Sequence, residues 1–359
     1  MTATGRPRLL KGTPAEHGYA FPAEWERQRA VWLSWPRPEG ISFPDKYHTI
    51  PANIAAIARE IALREEVHVN VPNGNYARIV LEVFKAGGVN LRRVHLHQIP
   101  TNECWCRDHG PAFVVRTRRG ATQAAIVDWG FNAWGGKYPP WNADDEVPTR
   151  IAEEWRLPVS YPGIVMEGGA VEFNGAGSVL TTTSCLRNKN RNPGLSKTDI
   201  ERYLCDYYGQ SQVLWLDDGI AGDDTDGHID DLARFIGPRT IVMGIEADPR
   251  DENYTVLQEN RRRVSRLRGR DGRPFDVIEI PMPQPVVHDG QRLPATYVNF
   301  LFVNGALLVP TFRDRRNDAR ALALLQRALP DRQVVGIDCT ELVWGLGTIH
   351  CLTQQIPAF

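Results

Sequence analysis

Four strand–turn–strand units recur along this chain at similar spacing. They read AFVVRTRRGATQAAIVDW, AVEFNGAGSVLTTTSC, DDLARFIGPRTIVMGI and TYVNFLFVNGALLVPTF, each a pair of β-rich runs around polar or glycine turn residues. A residue able to do chemistry stands at or just before the first strand of each unit: Asp108 in RDHGP, Glu167 in EGG, His228 and Asp230 in GHID, and Asn299 in YVNF. Cys351 follows in the same cadence. The intervals from Asp108 to Glu167, His228, Asn299 and Cys351 are 59, 61, 71 and 52 residues. Helical patterns fall between the units at 51–65, 75–87, 145–156, 196–208, 252–267 and 316–329, with apolar residues near i, i+3, i+4 spacing. Short strand-like runs accompany them: EVHVNVP, RVHLHQI, QVLWL, DVIEI and QVVGID. Regular spacing of a hairpin-plus-helix unit marks a repeat architecture. Few identities repeat, so the repetition is one of position. Units set around an axis bring their reactive side chains to its centre and make one closed domain from residues 1–359.

Composition excludes several classes. The 42 basic and 43 acidic residues leave a formal net charge of -1, without the concentrated basic face that nucleic acid requires. Arg261, Arg262, Arg263, Arg268 and Arg270 cluster among acidic residues, glycine and aspartate, which reads as a solvated helix end and turn. No run approaches the ~18 apolar residues of a membrane span. The N-terminal MTATGRPRLLKGTPAEHG has no apolar core of a secretory signal. With Cys104, Cys106, Cys185, Cys205, Cys339 and Cys351 in so long a chain, the expectation is a reduced, cytoplasmic protein. WGGKYPPW, from Trp134 to Trp141, reads as an ordered surface loop.

Four polar stretches carry the chemistry. In CWCRDHGP, Cys104 and Cys106 lack the C-x2-C spacing of zinc sites and have no second matching pair. His95 and His97 alternate in VHLHQI and, without a third ligand, read as one strand face. Asp108 sits beside Trp105 and a Gly-Pro turn, which favours a site over a surface ion pair. Glu167 precedes two glycines that permit close backbone approach. Asp223 to Asp231 holds five carboxylates and His228 in nine residues. The composition is calcium-like, but the glutamate that closes such a loop is absent. His228 and Asp230, two apart, face the same way on extended chain and place an imidazole beside a carboxylate. A lone Cys351 is an ordinary buried residue; with a histidine and carboxylates elsewhere it is a nucleophile candidate. Acyl transfer needs donors for an oxyanion, whereas these residues are acceptors. A planar guanidinium, paired bidentately with carboxylates, fits them.

The pieces AVWLSWP, TNECWCRDHGPAFVV, MEGGAVEFNGAGSVLTTTSCLRNKNRNP, GDDTDGHIDDLARF and GLGTIHCLTQQIPA occur in an order that resembles the agmatine deiminase family, which includes bacterial peptidylarginine deiminases, within the guanidino-group-modifying pentein superfamily. The resemblance runs from about residue 20 to the end. It implies an α/β fold, a five-bladed pseudosymmetric α/β propeller, in agreement with the spacing. It implies that Cys351 is the nucleophile, His228 the general acid/base, Asp108 and Asp230 the carboxylates gripping the guanidinium, and Glu167 the acid supporting the histidine. Asp224 matches a substrate-binding position and Trp105 a pocket wall. The implied reaction is hydrolysis of agmatine to N-carbamoylputrescine and ammonia through a covalent cysteine intermediate, with no metal and no organic cofactor. The implied partner is a small cationic guanidino substrate, with no nucleic acid and no membrane; a homo-oligomer is left open. Leu346 and Thr348 interrupt the glycine run usual before the I-H-C segment, and HIDDLARF and WCRDHGP differ from plant-like forms. These departures leave another guanidino substrate, including peptidyl-arginine, as the alternative. Amidinotransfer and guanidine binding without turnover stand behind it.

Overall fold

The computed structural model describes residues 7–359. Each hairpin read from the sequence is an antiparallel pair: Ala112–Arg118 with Ala121–Val127, Val171–Phe173 with Ser178–Thr182, Ala233–Gly237 with Thr240–Ile245, and Leu301–Val303 with Ala306–Thr311. The second strand of each pair has a parallel neighbour on its far side: Pro158–Ser160, Gln212–Leu216, Asp276–Pro281 and Gln333–Asp338. Parallel neighbours need a crossover, and helices Val147–Trp155, Lys197–Tyr208, Asn253–Arg266 and Arg315–Ala328 supply one each. The unit is therefore hairpin, helix, parallel strand, four times over.

A fifth copy is split across the chain. Thr353–Pro357 pairs antiparallel with Gln28–Ser34, in a register that sets Gln355 opposite Val31. Helix Ile50–Ala62 then leads to the parallel strand Glu66–Asn70, and helix Gly74–Ala86 to a further parallel strand, Val94–His97. The result is a mixed α/β molecule whose described residues form five sheets of three or four strands and one small two-stranded ribbon, Val287–His288 with Gln291–Arg292.

Local chemistry explains the boundaries. Ile50, Ile54, Ile57, Ala58 and Ile61 form one buried stripe of their helix, and Pro51 sits in the first turn, where its missing N–H is harmless. Burying each isoleucine contributes about 1.5–3 kcal/mol. Helix Lys197–Tyr208 opens on a reciprocal cap, Ser196 Oγ accepting from Asp199 N while Asp199 Oδ2 accepts from Ser196 N, and stops at Gly209 with φ 63°.

Arg261, Arg262 and Arg263 pair with Glu279, Glu259 and Asp217 on a solvated helix face. No helix among the described residues is long and apolar enough to cross a membrane. All six cysteines are free and five are buried. The WGGKYPPW stretch differs from its reading as a surface loop. Trp134 is buried, because its indole N–H donates to Asp108 and its ring packs edge-on against Phe131.

Candidate active site

The five sheets present equivalent points to one place. Asp108 lies in the turn Cys106–His109 before Ala112–Arg118, and Glu167 opens the turn before Val171–Phe173. His228 opens the turn Ile229–Asp231 before Ala233–Gly237; Asn299 precedes Leu301–Val303, and Cys351 precedes Thr353–Pro357. His228 Nδ1 is 3.7 Å from Asp108 Oδ1 and 4.0 Å from Asp230 Oδ1. Cys351 Sγ is 3.7 Å from Asp230 Oδ2. Asn299 Nδ2 donates to Cys351 Sγ and to Asp231 Oδ1, each at 3.0 Å, while its Oδ1 accepts from Thr348 Oγ1 at 2.7 Å. Glu167, Cys185 and His228 have side-chain heteroatoms all within 4.8 Å of one another. Glu167 Oε1 is held by Arg191 Nε at 2.5 Å.

Close backbone approach makes this convergence fit. A Cβ on Gly169 would stand 2.5 Å from His228 Nδ1 and 2.9 Å from Asp108 Oδ1, and Gly169 N donates to Asp108 Oδ1 at 2.9 Å. A Cβ on Gly347 would stand 2.7 Å from the Trp105 ring and 2.9 Å from Cys351 Cβ. Only glycine tolerates either contact.

Beneath the site lies a buried charge network that the sequence did not reveal. His350 Nδ1 is 2.7 Å from Asp230 Oδ2 and its Nε2 is 2.7 Å from Glu24 Oε2. A proton must sit in each contact, since lone pairs cannot face each other at that distance. Arg234 donates to Glu24, Glu172 and the Phe300 carbonyl at 2.9, 2.6 and 2.7 Å, and Arg107 lies 3.6 Å from Glu24. Glu24 is 326 residues from His350, so no local pattern announces the pair.

A cavity of about 210 Å³ opens onto the site. Cys351 and Asp108 lie on its surface, walled by Trp105, Trp134 and Trp344, with Asp224 and Glu103 also lining it. His228, Asp230 and Glu167 are wholly buried and do not line it. Asp224 accepts from Lys137 Nζ at 3.2 Å and from the Tyr138 hydroxyl. Glu103 accepts from Ile41 N at 2.9 Å and from the Ser42 hydroxyl, and makes no ion pair among the described residues. Glu103, Lys137 and Tyr138 were missed in the sequence, and Lys137 and Tyr138 lay in the Gly/Pro-rich stretch set aside as surface; Trp134 was named there only as one of several tryptophans near polar motifs.

Burial governs the protonation states. It pushes Asp108 up to about 6, against the pull of His228. Burial alone would lower His228, but Asp108, Cys185 and Asp230 outweigh it and hold the imidazole well above its ordinary value. The Cys351 thiol is pushed well up, by burial first and then by Asp230, Asp231 and Asp108. Asp230 is held low: burial opposes ionisation, but His350, His228 and Arg234 prevail. His228 Nδ1 and Nε2, Asp230 Oδ1, Asp231 Oδ2 and Glu167 Oε2 are buried without a hydrogen-bond partner. Such orphans are costly in a finished core and mark a place built for a ligand.

A thiol at the end of a tryptophan-walled pocket, with an imidazole and dehydrated carboxylates behind it, is the equipment of an enzyme working by covalent catalysis, and its relatives place it among the hydrolases. The chain belongs to the Porphyromonas-type peptidyl-arginine deiminase family, whose model matches residues 20–357. It is 38% identical to agmatine deiminase of Pseudomonas syringae pv. tomato, covering 97% of this chain and 98% of that one. It is equally 38% identical to agmatine deiminase of Pseudomonas putida KT2440, covering 98% and 99%. Among solved structures, agmatine deiminase of Enterococcus faecalis superposes with a TM-score of 0.90 at 33% identity, covering 98% of this chain and 99% of that one.

Proposed function

We propose that the protein hydrolyses the guanidino group of agmatine, giving N-carbamoylputrescine and ammonia. The observation that carries this reading is the Cys351 thiol and the Asp108 carboxylate on the surface of an aromatic pocket, with the orphaned carboxylate oxygens of Asp230, Asp231 and Glu167 buried behind them. A guanidinium is planar, cationic and rich in N–H groups, and it satisfies such acceptors bidentately. Near-full-length similarity to agmatine deiminases supports the choice of substrate.

In this reading Asp108 and Asp230 grip the guanidinium and Trp105 walls the alkyl chain. Asp224 stands in the binding strip and Glu167, anchored by Arg191, supports His228. Because the thiol is pushed up in the free protein, the thiolate forms as the cationic substrate enters and offsets the surrounding carboxylates. Cys351 Sγ then attacks the guanidinium carbon. His228, as imidazolium, protonates the departing nitrogen, the C–N bond breaks and ammonia leaves. Neutral His228 takes a proton from water as its oxygen adds to the S-bound carbon. Collapse breaks the C–S bond and restores the thiolate, and the hydroxyl proton passes to solvent, where ammonia takes it up, leaving the ureido product. No step draws on a cofactor.

The proposal treats residues 1–359 as one catalytic domain, its five sheets the blades of a five-bladed pseudosymmetric propeller. The common hairpin–helix–strand unit and the pairing of Thr353–Pro357 with Gln28–Ser34 support that arrangement. It places the enzyme in the cytoplasm, where six unpaired cysteines are at home. Glu103 favours a substrate with a second positive charge, as agmatine has, over a peptidyl-arginine. The test is to offer agmatine, arginine, an arginyl peptide and agmatine plus an acceptor amine, and to measure ureido product and ammonia. Agmatine turnover well above the others is expected. A folded protein that releases no ammonia from any of them ends the hydrolase reading.

A further inference from the structure

Strands Glu66–Asn70 and Val94–His97 run parallel, with His68 opposite His95 and Asn70 opposite His97. Alternation puts Glu66, His68, His95 and His97 on one face. The rings of His95 and His97 stack on His68 at centroid distances of 4.7 and 5.0 Å. The sequence reading lacked a third ligand for this face; strand register supplies two more candidate donors.

The hydrogen bonds fix which nitrogen is free. His97 Nδ1 is 2.6 Å from Glu154 Oε1, and a carboxylate can only accept, so this nitrogen carries the proton. In the neutral ring His97 Nε2 is then an acceptor, and it lies 2.8 Å from His68 Nδ1, which must donate. The lone pair of His68 is left on Nε2. That atom is buried in a residue only 5% exposed and has no hydrogen-bond partner. Around it stand further acceptors. Glu66 Oε2 is 3.7 Å from His68 Nε2, and Glu66 Oε1 is 3.7 Å from His95 Nε2. One heteroatom from each of Glu66, His68 and His95 lies within 4.8 Å of the other two. A cation held among these groups would satisfy the orphaned His68 nitrogen.

We propose that Glu66, His68 Nε2 and His95 Nε2 form a site for one divalent transition cation of the zinc class, separate from the catalytic pocket. Two imidazoles and a carboxylate are zinc-type donors, and water completes the shell. Glu154 and His97 form the outer relay that fixes the ligand tautomer, as carboxylates do behind metal-bound histidines. The two other groupings with ligand-like spacing, Glu167–Cys185–His228 and Asp230–Asp231–Cys351, lie inside the catalytic site. The half-exposed Glu66 and His95 form the entry side. Bound metal ties two neighbouring strands of one sheet together.

The test is zinc titration of the chelator-dialysed full chain against a chromophoric chelator. The Cys351→Ala variant is run in parallel to remove the competing thiol. One zinc per chain is expected, with Kd below about 10 μM, in both proteins. Glu66→Gln and His95→Ala alter half-exposed side chains and weaken binding at least about tenfold, and Glu154→Gln weakens it about tenfold through the relay. Zinc raises the thermal midpoint of the parent but not of Glu66→Gln. Binding weaker than about 10 μM in the parent, or unchanged in both Glu66→Gln and His95→Ala, overturns the proposal.

Discussion

Two buried histidines, His228 and His68, are shifted in opposite directions. His228, buried behind the candidate active-site pocket, is held well above the ordinary imidazole value, whereas His68, on the strand next to an edge strand, is driven to about 2. Burial acts on both in the same downward sense. The difference lies in company: His228 has the buried Asp108 and Asp230 at 3.7 and 4.0 Å, while the carboxylate at 3.7 Å from His68, that of Glu66, is half-exposed and two imidazoles stack on the ring. One environment favours the charged imidazole. The other leaves a bare lone pair.

The largest effect expected to sharpen this contrast comes from the thiol. Cys351→Ala removes turnover by at least about 10⁴-fold while leaving the circular dichroism spectrum intact. Removing residues 351–359 removes turnover as well and also destabilises the fold, since Thr353–Pro357 is buried throughout. His228→Ala lowers kcat by about 10²–10⁴-fold, and turnover within tenfold of the parent breaks the assignment of its proton. The Asp108 value of about 6 gives this site a pH signature: kcat/KM for agmatine falls about tenfold per pH unit below about 6, and Asp108→Asn abolishes that limb. The linked effect on stability runs the other way. The folded value lies above the ordinary 3.8, so folding takes up a proton between these values. This residue's contribution to stability is therefore greatest at low pH and falls as pH rises through that window.

Glu24→Gln strips Arg234 and His350 of a buried partner and is expected to lower unfolding free energy by about 3–5 kcal/mol in urea titrations. A change near zero would show that the network beneath the pocket is dispensable. The smallest effect belongs to the edge. His95→Ala leaves agmatine turnover within about twofold and metal-free stability within about 0.5 kcal/mol.

Spacing made the convergence legible. Asp108, Glu167, His228, Asn299 and Cys351 stand at the same point of five repeated units, and the hairpins carry turn chemistry that a sequence displays openly. What each of these residues does remains the proposal above. Other features were hidden for physical reasons. Glu24 meets His350 and Arg234 only because the sheets meet, and the first glutamate of FPAEWE has no local signature. Trp134 looked like part of a loop because glycines and prolines surround it, while its indole reaches Asp108. His68 was separated from its partners by a helix and became a neighbour of His95 through parallel register. Contacts between units are long-range, and periodicity reports only what happens within one.

The split fifth sheet has a kinetic consequence. Cys351 reaches the pocket only when Thr353–Pro357 docks on Gln28–Ser34, across more than 300 residues of intervening chain. Four hairpins can form from contacts close in sequence, whereas this pairing closes the longest loop in the molecule, and such closures come late in folding. A chain still being synthesised, or halted in a partly folded intermediate, already carries its carboxylates and its histidine but has not delivered its sulfur. Reactivity is thereby withheld until the last strand is in register, and recovery of turnover after dilution from denaturant becomes a clock for that single event.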